Sequence, residues 1–137
     1  MLLLRRNRQM ILSRLHIPSS HPRYDGAKGP KQMNQSEYQI KQLVDELSIP
    51  ESGKQSIVLT DSAKTKVILF SIAAGGGLAE HVAPFDATIQ IISGTAMLTV
   101  DDESVKGKQG TWIQMAAKTP HSIKAETSVV MLLTLVK

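Results

Sequence analysis

From about Ser56 to the C-terminus, hydrophobic and polar side chains alternate in short runs that are rich in β-branched residues. A period of two is typical of a strand with one buried face, because successive side chains point to opposite sides. The pattern predicts six strands, at residues 56–60, 66–72, 87–92, 96–100, 111–115 and 129–136. Many short strands with no long helix between them predict an all-β sandwich or barrel.

A different period precedes the strands. Between Ser36 and Pro50, apolar residues lie three or four positions apart, namely Ile40, Leu43, Val44 and Leu47. This spacing predicts one amphipathic helix, with Ser36 as its N-cap and Pro50 just beyond its end. We assign residues 34–50 to this helix and residues 51–137 to the β-barrel. The apolar stripe of the helix is expected to pack against the barrel or against a second subunit.

Residues 1–33 combine an arginine-rich start with a stretch rich in Pro, Ser and Gly that has neither a helical nor a strand period. We expect this segment to be disordered. Two interpretations stay open. We favour an upstream extension of a domain that begins near Met33; the alternative is an organelle-targeting helix built from the leucines and arginines.

Composition narrows the classes of function. A chain of 137 residues that is 42% hydrophobic suffices for one domain with a core. The absence of cysteine excludes disulfides, thiolate metal sites and cysteine nucleophiles. Since no apolar run approaches the roughly 20 residues that span a bilayer, we expect no membrane partner and a cytoplasmic location.

The net charge of +4 suggests nucleic-acid binding until its position is considered. All five arginines lie in the first segment, at Arg5, Arg6, Arg8, Arg14 and Arg23. From Met33 onward the acidic residues outnumber the basic ones. The predicted barrel therefore carries no basic stripe, and nucleic acid is not an expected partner.

Two histidines lie within a regular frame of glycines. Gly75, five further residues, His81 and then Gly94 match the outer positions of the first cupin motif, G-x5-H-x-H-x3-E-x6-G. Gly110 and His121 stand at the spacing of the second, G-x5-P-x-G-x2-H-x3-N. The chain thus resembles a small single-domain cupin.

The resemblance covers about residues 56–137 and implies a cupin-like double-stranded β-helix, or jelly-roll barrel. In that family, two His and a Glu of the first motif usually hold a metal together with the His of the second. This chain has Ala83 and Ala87 where the second His and the Glu would stand. The chain also differs from the second motif, because it has Ala116, Lys118 and Ala125 where the motif has Pro, Gly and Asn. The implied metal cage is therefore incomplete.

The resemblance places His81 and His121 on strands that meet inside the barrel, where we expect them to contact a ligand. The further ligand-contacting residues that we expect are Ile89, Ile91, Trp112 and Met115. Zinc sites take about three or four protein ligands, so two imidazoles hold a metal weakly. We expect either no cofactor or a weakly bound Fe, Mn or Zn, with Gln114 as the candidate third ligand.

Two functions remain open at this stage. The first is a barrel that binds a small molecule through the two histidines. The second is a metal-dependent cupin enzyme, of the dioxygenase or isomerase type, that uses the same pair with a nonstandard third ligand. In either case an imidazole can act as an acid or base, because it changes charge near neutral pH. By analogy with other small cupins we expect a homodimer.

Overall fold

The computed structural model describes residues 38–137 of the chain. The predictions made for residues 1–33, and the predicted N-cap Ser36, lie outside the described residues. Within residues 38–137, no helix has the length and the apolar character needed to cross a membrane.

Strands are the main regular structure of the described chain. Nine strands follow one another: β1 (Lys54–Asp61), β2 (Thr65–Ile72), β3 (Gly77–His81), β4 (Asp86–Ser93), β5 (Ala96–Val100), β6 (Glu103–Gly107), β7 (Trp112–Met115), β8 (His121–Ala125) and β9 (Val129–Val136). The predicted all-β fold class is confirmed. All six predicted strands are present, and β5 and β9 have the predicted bounds.

Three strands were not among the six predicted: β3, β6 and β8. They are five residues long each and contain Gly, His, Lys or Glu, which dilute the β-branched pattern. All three belong to one sheet, where pairing with neighbours stabilises segments whose own strand preference is weak.

The strands form two antiparallel sheets. One has the order β1-β2-β9-β4-β7, and the other has the order β3-β8-β5-β6. The β2–β9 pair runs without interruption from Thr65 opposite Val136 to Ile72 opposite Val129. This long ladder is the centre of the larger sheet.

An ion pair lies at one end of this ladder. The ammonium of Lys137 lies 2.5 Å from Asp61 Oδ1 and lowers the pKa of that carboxyl.

One apolar core lies between the sheets. The larger sheet contributes seven buried residues, Ile72, Ala87, Ile89, Ile91, Met115, Val129 and Met131. The smaller sheet contributes four, Ala96, Leu98, Ile123 and Ala125. Alternate residues of β4, β5 and β8 supply this core, as a strand period of two requires. Full burial of a side chain such as Leu98 contributes about 1.5–3 kcal/mol.

Of the segment predicted as an amphipathic helix, residues 34–50, the structure describes residues 38–50. These contain one turn of 3-10 helix, Leu43–Asp45, and no side chain caps its start. Ile40 and Val44 are exposed, whereas Leu43 and Leu47 are half-buried. A helix this short is only marginally stable in water on its own. The homodimer to which this segment was expected to contribute stays a prediction.

The glycines of the motif frame serve the backbone. Gly75, Gly94 and Gly110 have φ values of 81°, 84° and 90°, which lie in the left-handed region. Gly94 has a further constraint, because an added Cβ would overlap the backbone carbonyl of Ser128. The spacing of these glycines therefore follows from the turns that connect the strands.

Lys118 adopts the same left-handed conformation without being glycine. Its φ is 66°, and it occupies the position where the second cupin motif has Gly. The turn has thus kept its shape although the residue has changed. A non-glycine residue in this region costs about 1–2 kcal/mol.

Gly94→Ala and Gly110→Ala separate the two constraints on glycine. Gly110 has no neighbouring atom near the position of an added Cβ, so its substitution should cost about 1 kcal/mol for backbone strain alone. Gly94→Ala should cost about 1–3 kcal/mol more, because the new methyl group overlaps the Ser128 carbonyl. Urea unfolding of both variants measures the difference. Equal losses would show that the overlap at Gly94 relaxes freely.

Lys118→Gly should raise the free energy of unfolding by about 0.5–1 kcal/mol, because relief of left-handed strain exceeds the added chain entropy of glycine. Lys118→Ala is the matched control, since it removes the same side chain and keeps the strain. Thermal and urea unfolding should show a gain for glycine alone. A similar gain for both variants would assign the effect to the lysine side chain.

Candidate functional site

His81 and His121 are 40 positions apart in the chain and directly opposite each other in the fold. They are Cα partners in the antiparallel pair β3–β8. Their ring centroids lie 4.3 Å apart, with an angle of 58° between the ring planes. The structure therefore brings together the two side chains that the motif spacing singles out.

A bulge in β3 accounts for the direction of His81. Leu78 pairs with Ile123 and His81 pairs with His121, so three steps along β3 match two along β8. In regular alternation, His81 would lie on the opposite face from Leu78, whose side chain packs against the core. The extra residue restores the inward face for His81. Two imidazoles can then share one side of the sheet.

Both imidazoles are fixed by the same kind of hydrogen bond. His81 Nδ1 lies 2.8 Å from the carbonyl oxygen of Ala79, and His121 Nδ1 lies 2.8 Å from that of Thr119. A carbonyl oxygen only accepts, so each Nδ1 must carry the proton and donate. The neutral form of each ring therefore has its lone pair on Nε2. This nitrogen is available to accept a hydrogen bond or to bind a metal.

The two rings differ in burial. His81 is exposed on edge strand β3, whereas His121 is only 4% exposed on β8, between β3 and β5. Among the described residues, no buried side-chain nitrogen or oxygen lacks a hydrogen-bond partner. Since only Nδ1 of His121 is hydrogen-bonded, its Nε2 must be reachable by solvent. The pair thus joins a buried ring to an exposed one.

Two hydrogen bonds hold the loop before His121 against the loop after His81. The backbone N–H of Lys118 donates to the carbonyl of Ala83 at 2.7 Å. The N–H of Ala117 donates to Asp86 Oδ1 at 2.9 Å. The carboxylate of Asp86 is therefore a link between the loops, and together these bonds fix the position from which β8 starts.

The donors around the pair do not fit a metal held by the protein alone. Ala87 is 2% exposed within the apolar core, at the position where the cupin motif has Glu. Ala83, at the position of the missing His, offers only backbone atoms and a methyl group. Among residues 38–137, no three His, Cys, Asp or Glu side chains are grouped to hold a metal ion. The imidazoles of His81 and His121 are therefore the two metal-binding side chains at this position.

Gln114, the predicted third metal ligand, lies on the outer face of its strand. It is exposed on β7, whereas the next residue, Met115, is 3% exposed in the core. Successive side chains of a strand face opposite sides, so Gln114 points away from the interior. The burial of Met115 fixes the register of β7. A shift by one residue would bury the amide of Gln114 and expose the thioether of Met115.

The predicted ligand-contacting residues divide in the same way. Ile89, Ile91 and Met115 face the interior and are 3%, 1% and 3% exposed. Their contact with a ligand stays a prediction. Trp112 is 58% exposed and lies on the same face of β7 as Gln114, away from the interior. Its contact with a ligand also stays a prediction, and the register of β7 decides its face.

Sequence reasoning missed the groups that orient the site. The carbonyls of Ala79 and Thr119 fix the two imidazoles, and any residue type could have supplied them. The spacing is the one usable signal, because each carbonyl belongs to the residue two positions before its histidine. The bulge at Leu78–His81 carries no proline or unusual residue that would have predicted it.

Comparison with family models gives no match, and no curated protein matches the chain. Solved structures do. A conserved protein of unknown function from Streptococcus pyogenes is 31% identical, with 76% of this chain and 91% of that chain covered and a TM-score of 0.67.

Two further solved structures share the fold at lower identity. A cupin superfamily protein from Desulfitobacterium hafniense is 22% identical, covering 74% of this chain and 93% of its own, with a TM-score of 0.66. An RmlC-like cupin from Desulfovibrio desulfuricans is 20% identical, covering 72% and 96%, with a TM-score of 0.67. Identity above 30% over 91% of the streptococcal chain means that this chain belongs to the same family as that protein, and the likeness to the other two shows that its fold is the cupin barrel.

Proposed function

We propose that the chain is a small-molecule-binding cupin in which His81 and His121 hold a polar group of the ligand through their Nε2 atoms. One observation carries this proposal: two adjacent imidazoles have their Nδ1 atoms committed to backbone carbonyls and their Nε2 atoms uncommitted. The protein has thus oriented both rings before any ligand binds, which reduces the entropy cost of binding.

Burial supports a functional role for His121. Among the described residues, the buried polar side chains are Ser71 and His121. Ser71 donates its hydroxyl proton to the carbonyl of Ser48 at 2.9 Å, so its role in holding the chain accounts for it. His121 keeps an uncommitted nitrogen at 4% exposure. Because this nitrogen is reachable from solvent while the rest of the ring is enclosed, it is placed to contact a ligand.

The tautomers indicate which groups the pair accepts. With both rings neutral, each Nε2 is an acceptor, so a hydroxyl, amide or ammonium of the ligand is the complementary donor. The interior face around β4 and β7 is apolar, formed by Ala87, Ile89, Ile91 and Met115. We therefore infer a ligand with a donor-rich head and an apolar body.

The alternative is a metal-dependent enzyme, in which the same two free Nε2 atoms would supply two of the metal ligands. The other coordination positions would have to come from substrate or water, since Gln114 points outward. In that case the affinity for metal would depend on the substrate. Metal retained by the substrate-free chain would favour this alternative.

Elemental analysis of the full chain after exhaustive dialysis should find well below one equivalent of Fe, Mn or Zn per chain. His81→Ala and His121→Ala should not change that value, because two imidazoles alone retain metal weakly. Ala83→His/Ala87→Glu, which restores the missing side chains of the motif, serves as the positive control. Near-stoichiometric metal in the wild type that both His variants lose would establish the enzyme alternative.

Ligand binding can be observed directly at the two rings by NMR. Long-range ¹H–¹⁵N spectra at pH 8 should show both neutral histidines protonated at Nδ1. In a fragment set, hydroxyl-bearing compounds with an apolar body should shift the Hε1 signals of both rings. His121→Ala should lower the affinity for these fragments at least tenfold, whereas Ser71→Ala should leave it unchanged. Fragments that bind equally well to both variants would contradict the proposal.

A further inference from the structure

A second surface lies where the two sheets end side by side. β6 is the edge strand of the smaller sheet, and β7 is the edge strand of the larger one. Between them is a groove of about 500 Å³, which we call the seam groove. It is lined by Val100, Asp101, Asp102, Glu103, Val105, Trp112, Ile113 and Gln114. Neither histidine is part of it.

The seam groove exposes apolar side chains that a closed barrel would cover. Val105 is the register partner of Leu98, which is 1% exposed in the core, so both face inward. Val105 is nevertheless 46% exposed, because no strand covers it on the β7 side. Trp112, at 58% exposure, stands on the opposite wall. An apolar side chain of a partner would be buried between them.

The edges of the groove offer backbone hydrogen bonds as well. Within residues 38–137, β6 pairs only with β5 and β7 only with β4, so each strand has one side without a strand partner in this part of the chain. Such edges accept an added strand. With its five residues, β6 can pair with an extended segment about 17 Å long.

The charge at one end of the groove selects the partner. Asp101, Asp102 and Glu103 are consecutive, and within residues 38–137 none of them forms an ion pair. Lys106, on the same strand, is paired with Glu126 at 3.2 Å. Three uncompensated carboxylates attract a cationic group and repel nucleic acid and anionic lipid surfaces. A lysine or arginine beside Trp112 would also gain a cation–π interaction.

We propose that the seam groove binds an extended basic peptide segment of a partner protein. The segment adds a strand along the open edge, places an apolar side chain between Val105 and Trp112, and sets Lys or Arg residues against the three carboxylates. The proposal is independent of the histidine pair, which contributes no residue to the groove.

Trp112 is the single tryptophan of the chain, so its fluorescence reports on this groove alone. The probe is acetyl-Lys-Val-Lys-Val-Lys-amide, titrated into the full chain at low salt. We expect a saturable change in Trp112 emission and at least a tenfold loss of affinity between 50 mM and 500 mM salt. The peptide with Glu in place of each Lys should not bind, and lysine amide should bind at least tenfold more weakly.

Two double variants with equal charge changes locate the binding. Asp102→Asn/Glu103→Gln should lower the affinity for the probe at least tenfold. Asp45→Asn/Glu51→Gln removes two carboxylates outside the groove and should leave the affinity unchanged. Circular dichroism checks that both variants fold.

Several results would overturn the proposal. These are the absence of an emission change up to millimolar probe, equal binding of the Glu peptide or lysine amide, and equal loss in both double variants. A change of Trp112 emission with protein concentration alone, accompanied by a dimeric mass, would instead assign the groove to a second copy of the chain.

Discussion

The inward-facing positions of the two sheets must be mostly apolar, because the core between the sheets forms by excluding water from both inner faces. Strand alternation meets this requirement at Ile89 and Ile91 on β4 and at Leu98 on β5, which are all 3% exposed or less. The pairing register follows from it, since a slip of one residue would reverse the faces of a strand. The placement of each candidate functional residue is decided by this constraint.

His121 is the exception within that apolar interior. It occupies an inward position of β8, in line with Ile123 and Ala125, and is 4% exposed. Its Nδ1 is satisfied by the Thr119 carbonyl, which is held in a loop tied to Ala83 and Asp86. The protein therefore stabilises one nitrogen of the ring through the backbone and leaves the other for chemistry. Ala87, in the place of a carboxylate, keeps the surroundings apolar.

The same constraint fails at the edge between β6 and β7. The sheets end there without a shared strand, and Val105, although inward in register, stays half exposed. Asp101, Asp102 and Glu103 place negative charge at one end of this gap. The histidine pair lies on β3 and β8 and the open edge on β6 and β7, so both features belong to the same pair of sheets.

The period of two and the glycine frame by themselves determined the all-β class, six of the strands and the two histidines, because these features depend on local backbone preference and on turns such as those at Gly75, Gly94 and Gly110. The sequence also predicted a helix at residues 34–50; of this segment the structure describes residues 38–50, in which residues 43–45 form a 3-10 turn. Only the tertiary structure decided that Trp112 and Gln114 face outward, that a bulge turns His81 toward His121, and that backbone carbonyls fix both rings. These outcomes depend on strand register and on partners distant in the chain, and a local pattern of residue types carries no information about either.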